Sequence, residues 1–309
     1  MLKTLTTTAI AAALAAPLAF AGTKTIDVRS FDQIETKGAM NVIYTPGPST
    51  SVIIETEGND FSDADVSVDG DTLVITRVSL EKRGLFGNRG NIKVSDGGKT
   101  IKVNGKKVPY YTVRVTSPDL AGIRVAQSST ANVSGVDTTD FEARTSSAAK
   151  LTLSGRATRA EINASSSGEI EAGNFQAGSL DVSASSSGEV EALASGTGPV
   201  KVSASSSGEV SIRSTQPATF TINASSGGEV EAAGACASVD ISASSGADVD
   251  ASKLQCEVAT ANASSGADVD AFASVSASGN ASSGADITFE GRPADQNAEK
   301  SSGGDVTFN

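Results

Sequence analysis

The chain of 309 residues has no histidine and no tryptophan, and only two cysteines and two methionines. Aromatic residues make up only 4% of it. Without histidine there is no Ser-His-Asp or Cys-His catalysis, and the side chain that titrates near neutrality is missing. A zinc site is disfavoured for the same reason. Without tryptophan the largest stacking surface for a sugar ring is missing. After residue 21 no stretch approaches the roughly 18–20 apolar residues of a membrane span. Amphipathic helix patterns are absent too, and Gly, Ser, Val, Ala and Asp dominate, which points to an all-β protein.

The net charge is −12, but it is unevenly placed. Residues 77–114 hold ten Lys/Arg against Glu81 and Asp96, a net of +8. Residues 115–309 hold ten Lys/Arg against 24 acids, a net of −14. Phosphate would be repelled from most of the chain, so nucleic acid is excluded as an expected partner.

Residues 1–21 carry the marks of a signal peptide. Lys3 supplies the charge, Ala9 to Phe20 the apolar run, and Ala19-Phe20-Ala21 the small-residue cleavage site. The mature chain is expected to begin at Gly22. Export is expected, to the periplasm, the outer surface or the medium of a Gram-negative bacterium.

What is abundant is a repeat. The block Ala204-Ser-Ser-Ser-Gly-Glu-Val210 recurs at 164–170, 184–190, 224–230, 243–249, 263–269 and 281–287. Weaker copies stand at 127–133, 145–151 and 300–306, making ten. Their closing apolar residues, from Val133 to Val306, are 18 to 20 residues apart. A fixed period of this length means a solenoid of stacked coils. Before each serine pair, apolar and polar residues alternate, as in Leu180, Val182 and Ala184 against Asp181 and Ser183. That is one face inward and one outward on a strand. The expected fold is a single-stranded parallel β-helix of about ten rungs, right-handed, with rungs about 4.8 Å apart.

Residues 22–125 lack this rhythm. Short alternating runs such as Val42-Tyr44, Val52-Ile54 and Leu73-Ile75 are separated by turn signals such as Pro46-Gly47-Pro48 and Asp69-Gly70-Asp71. This segment is expected to be β-rich and to cap one end of the helix formed by 126–309. A basic, Gly-rich insertion at 79–109 interrupts it, with Ile92-Val94 and Ile101-Val103 as strands.

Cys236 and Cys256 each lie seven residues before the alanine of a block, at Ala243 and Ala263. They therefore share a column on adjacent rungs, within the roughly 4.4–6.8 Å that a disulfide spans. Their pairing closes a loop worth about 3 kcal/mol.

Three constellations are candidate sites. The serine pairs form a column whose plain reading is a hydroxyl ladder at a tight corner, and whose functional reading is a polar strip for repeating glycans. Glu169, Glu189, Glu209, Glu229, Asp248, Asp268, Asp286 and Asp305 form an acidic column. Rows of carboxylate oxygen suit weak Ca²⁺ binding, while a solvated face that keeps a rod soluble is the favoured alternative. The basic insertion gathers Lys82, Arg83, Phe86, Arg89, Lys93, Lys99, Lys102, Lys106, Lys107, Tyr110 and Tyr111. With exposed aromatics beside cations, it is the best candidate for binding an envelope glycan or a surface protein.

The N-terminal order of motifs resembles the head GIN domain family of autotransporter adhesin heads. The likeness runs through Phe31-Asp-Gln-Ile34, Gly38 and Val42 in Gly-Ala-Met-Asn-Val, Gly47, and Val52-Ile-Ile54. It continues through Asp69-Gly-Asp-Thr-Leu-Val-Ile75 and Val113 to Leu120, ahead of the serine repeats. The resemblance implies an exported β-helix with an adhesive role, and it brings no catalytic residues. The basic insertion departs from the family pattern, and no translocator barrel follows the repeats. A non-enzymatic, adhesin-like or envelope-binding module is therefore expected. A polysaccharide-active β-helix enzyme and a scaffold assembling end to end through its β-helix ends are the alternatives. An enzyme would need one acid whose environment differs from its neighbour's, and repetition makes these acids equivalent.

Overall fold

The computed structural model describes residues 22–81, 91–95 and 100–309. They build a β-solenoid of about nine turns, with almost no helix. Each coil has a strand before the serine corner, the corner, a strand after it and a return segment. Corresponding strands of successive coils pair in parallel. Residues 161–165 pair with 181–185, these with 201–205, and those in turn with 221–225. After the corner, Glu169, Glu189, Glu209 and Glu229 stand directly opposite one another.

The alternation in the sequence fixes which side chains fill the inside. Val182, Val202 and Ile222 are buried before the corner, and Ile170, Val190, Val210 and Val230 after it. Each such side chain contributes about 1.5–3 kcal/mol on leaving water. Narrow coils favour small core residues, and size is matched across the core. Phe289 is fully buried because Gly279 faces it: a Cβ there would lie 2.9 Å from the Phe289 ring. Phe141 and Phe175 pack together with ring centroids 5.2 Å apart.

The corner is a pair of left-handed residues. Ser166 and Ser167 have φ of 52° and 60°, and the pair recurs at 186–187, 206–207 and onward to Ser302-Gly303. A non-glycine residue costs roughly 1–2 kcal/mol in this region. The chain recovers part of that through an inter-coil ladder. Ser167 N–H donates to the Ser186 carbonyl at 3.1 Å, Ser187 to Ser206 at 3.2 Å, and Ser207 to Ser226 at 3.3 Å.

Two expectations about register change. The ladder sets Ala131, not Val133, opposite Leu151, and Val133 opposite Leu153. The serine column begins at Ser146, which faces Ala126; Ser129 is instead fully buried, two places further on. The irregular first copy had hidden this shift.

The coil geometry also starts earlier than the serine rhythm. Gln33–Lys37 pairs in parallel with 122–126, and Asn41 to Tyr44 with 130–133. Thr72–Arg77 and Thr112–Ser117 add an outer layer in parallel on this coil. Beyond it the pairing turns antiparallel, through Ser51–Thr56 and Gly22–Ile26 on one side and Ala64–Asp69 on the other.

Arg77 closes the corner ladder at this end. Its side chain is fully buried, donates from Nε to the Gly38 carbonyl and from Nη2 to the Ala39 carbonyl, and pairs with Asp63 at 3.1 Å. The guanidinium thus takes the acceptor that a further coil's N–H would otherwise reach. Burial pushes its pKa down, and Asp63 opposes that shift.

Cys236 and Cys256 form the expected disulfide, with Cα atoms 4.4 Å apart on adjacent coils.

Candidate functional site

Each corner divides two outward faces of unlike chemistry. Before the corner, the outward residues nearest it on four coils are Asn223 and Ser225, Ser242 and Ser244, Asn262 and Ser264, and Asn280 and Ser282, with Thr221, Asp240, Thr260 and Ser278 two places further back. The eight nearest line a shallow groove of about 410 Å³ that contains no charged side chain. Among the described residues none of these eight donates or accepts a side-chain hydrogen bond, whereas Ser183 and Asn163 nearer the N-terminus bond to each other. Amides and hydroxyls both donate and accept, so the groove offers paired donor and acceptor sites every 4.7–4.9 Å along the rod.

After the corner, the outward residues are acids. Glu169, Glu189, Glu209, Glu229, Asp248, Asp268, Asp286 and Asp305 are directly opposed through seven steps, as the repeat required. Lys150 occupies the same column one coil before Glu169. Its ammonium lies 2.7 Å from Glu169 and 2.6 Å from Glu171, and these bonds push its pKa up to about 12. Lys253 reaches Glu231 at 3.2 Å, and Lys300 reaches Asp305 at 2.6 Å. Between these, Glu189, Glu209, Glu229, Asp248, Asp268 and Asp286 have no cationic partner among the described residues. Partial burial and the neighbouring Glu189 and Glu229 hold Glu209 above the usual carboxylate range. Asp248 is raised by burial, Glu229 and Asp268, and Asp270 by burial and its acidic neighbours. Among the described residues, no three acids or cysteines converge where one metal ion could be held.

A second groove, of about 500 Å³, runs beside the first coils and mixes charges. Its ionic groups face one another: Arg159 pairs with Asp140 at 2.6 Å, and Asp181 stands directly opposite Lys201.

The basic insertion places a three-stranded antiparallel sheet, Ile92–Ser95, Thr100–Val103 and Lys106–Val108, over the first corner. Its second turn is Asn104-Gly105, with φ of 51° and 80°. That pair suits a two-residue hairpin whose central residues are both left-handed. Ile101 and Val103 pack on Ala39 with Leu80, Ile92, Val108 and Tyr110. On the opposite face, Lys93, Lys102 and Lys107 are directly opposed, one per strand. Lys106 belongs to the packed face and emerges at its edge. Lys82, Arg83, Phe86, Arg89 and Lys99 lie outside the described residues.

One candidate is corrected. Tyr111 is not an exposed aromatic but is fully buried. Its hydroxyl donates to the Asp60 carbonyl at 2.9 Å, and the Arg77 guanidinium sits 5.0 Å from its ring centroid. The alternation of Tyr111, Val113 and Val115 carried that signal. Tyr110 is half-buried beneath the basic sheet.

Solved structures resemble this chain over most of its length. One is described as a "putative adhesin" from Parabacteroides merdae, 13% identical, with a TM-score of 0.46 and coverage of 93% of this chain and 95% of that one. Another is described as a "Putative lipid binding protein" from Parabacteroides distasonis, 16% identical, with a TM-score of 0.42 and coverage of 93% and 96%. Comparison with curated proteins finds no match. The family described as "Putative auto-transporter adhesin, head GIN domain" matches residues 30–213 and 196–293, and the chain belongs to that family.

Proposed function

We propose that the protein is an exported, non-enzymatic, adhesin-like module that holds uncharged glycan along its amide–hydroxyl face. The groove lined by Asn223, Ser242, Asn262 and Asn280 carries this reading. It is uncharged on a strongly acidic molecule, and its polar side chains have no partners among the described residues. A polymer of hydroxyl-bearing units presents donors and acceptors at repeating intervals, and so does this face. Each contact is weak without an aromatic platform, and several coils acting together supply the affinity.

The reading as a binder rather than an enzyme rests on the repetition of the acids along one exposed face: Glu171 is lowered by Lys150 and Glu209 raised by burial among like charges, and neither belongs to a facing pair of unlike acid and base. Export is supported by residues 1–21 and by the disulfide, which belongs to an oxidising compartment.

A glycan array tests the proposal. Wild type is expected to retain neutral polysaccharides, and Asn223→Ala/Asn262→Ala/Asn280→Ala to lose them while melting like wild type. Retention unchanged by the triple substitution would remove the groove from the argument. Release of new reducing ends from a retained glycan would show an enzyme instead.

A further inference from the structure

Two like-charged rows stand on this molecule, and each is repulsive within itself. Lys93, Lys102 and Lys107 are directly opposed across three strands, exposed, and without a carboxylate partner among the described residues. Glu189, Glu209, Glu229, Asp248, Asp268 and Asp286 are equally exposed and have no cationic partner among the described residues. Like charges directly opposite on neighbouring strands destabilise a sheet, so each row gains from meeting the other.

We propose that the lysine row is a docking surface and that its occupant is the acidic ladder of a second copy of this chain. The spacings agree. Directly opposed residues of an antiparallel sheet have Cβ atoms about 4.5–5.5 Å apart, and successive coils repeat every 4.7–4.9 Å. Three lysines therefore face three successive coils, such as those of Glu209, Glu229 and Asp248. The molecule already displays this contact within one chain: the Lys150 ammonium bridges Glu169 and Glu171 on the next coil of the same column. The lysine row does not reach the ladder of its own chain. The hairpin's root lies with Thr72–Arg77 and Thr112–Ser117, and Glu189 is five coils further along. At the coil spacing that is about 24 Å. The contact joins different surfaces of two copies, so it yields either a closed pair or a growing chain. Being exposed and ionic, it is salt-sensitive.

Sedimentation velocity on the purified protein tests this. Wild type is expected to associate at low salt and to dissociate as salt is raised. Lys93→Glu/Lys102→Glu/Lys107→Glu and Glu209→Lys/Glu229→Lys/Asp248→Lys are each expected to stay monomeric. An equimolar mixture of the two is expected to associate, because the intact ladder of the first still meets the intact lysine row of the second and the two reversed rows are also complementary. Melting curves confirm that each variant is folded. If a reversed variant fails to fold, the neutral set Lys93→Gln/Lys102→Gln/Lys107→Gln replaces it and is expected to weaken association roughly tenfold. A monomeric wild type at low salt overturns the proposal, as does a mixture of folded variants that stays monomeric. Binding of inorganic polyphosphate by a monomeric wild type, lost in the lysine variant, would assign the row to a foreign polyanion and also overturn it.

Discussion

The faces on either side of the corner share one backbone, one pitch and one inward pattern, yet next to the corner from Asn223 to Ser282 one presents amides and hydroxyls and the other carboxylates. Asn262 and Asp268 are six residues apart, and each faces its equivalent in the next coil, Asn280 and Asp286. The solenoid sets only where a side chain stands. What the surface can recognise is decided by which residue type is repeated there. The acidic face pays for its uniformity in repulsion, which Lys150, Lys253 and Lys300 relieve at only a few coils.

The corner that joins the faces is the place to break both at once. Arg77→Ala removes the cation that closes the corner ladder and leaves Asp63 without its partner. It is expected to cost about 3–5 kcal/mol, the range for breaking a buried ion pair. Denaturant unfolding reads this, and a loss below 1 kcal/mol would show that the ladder needs no such closure. Reducing the Cys236–Cys256 disulfide, which closes a loop of about 20 residues, is expected to cost about 3 kcal/mol. Because it lies on the return segment, the loss should be the same at low and high salt. A salt-dependent loss would tie the disulfide to the charged face.

A smaller effect comes from turning one face into the other. Asn223→Asp/Ser242→Asp/Asn262→Asp creates a second acidic row and is expected to destabilise by about 0.2–1 kcal/mol per opposed pair. Glu209→Gln/Glu229→Gln is expected to stabilise on the same scale, and both changes should shrink in high salt. Equal and salt-independent effects on the two faces would show that side-chain charge is not what separates them.

The smallest effect is in pH dependence. Glu209, Asp248 and Asp270 have raised folded values, so the stability they contribute is fully present below the usual carboxylate range and is lost as pH rises through those values. Glu171, held low by Lys150 and Thr152, acts in the opposite sense: its contribution is present above that range and is lost as pH falls. Replacing the first three by amides should remove their destabilising component near neutral pH. A melting temperature that follows the wild-type pH profile after replacement would contradict this.

The solenoid, the acidic column and the disulfide were legible because all three follow from one period. Residues at equal offsets from the serine block must stack, whatever the handedness or the cross-section of the coil. The left-handed corner was not legible, since serine carries no preference for positive φ; the inter-coil ladder and the turn bond inside each coil, such as Gly168 N–H to the Ser165 carbonyl at 2.9 Å, hold it there. The third strand of the basic sheet had a signal in Asn104-Gly105, which the surrounding lysines masked. Tyr111 was misplaced because its charged neighbours outweighed its place in an alternating strand. The amide–hydroxyl groove emerged only when outward residues from four separate coils came together, each too ordinary to stand out alone.

The corner ladder has a consequence for how such a protein changes length. Each link joins the second left-handed residue of one corner to the first of the next, so coils are interchangeable at this point. Excising residues 206–225 would join Ser205 to Ser226 and leave the ladder with one link fewer and no change of kind. The rod would shorten by about 4.8 Å. Duplication of a coil would lengthen it by the same step, which makes the protein a ruler whose gradations can be added or removed by recombination within its own coding sequence.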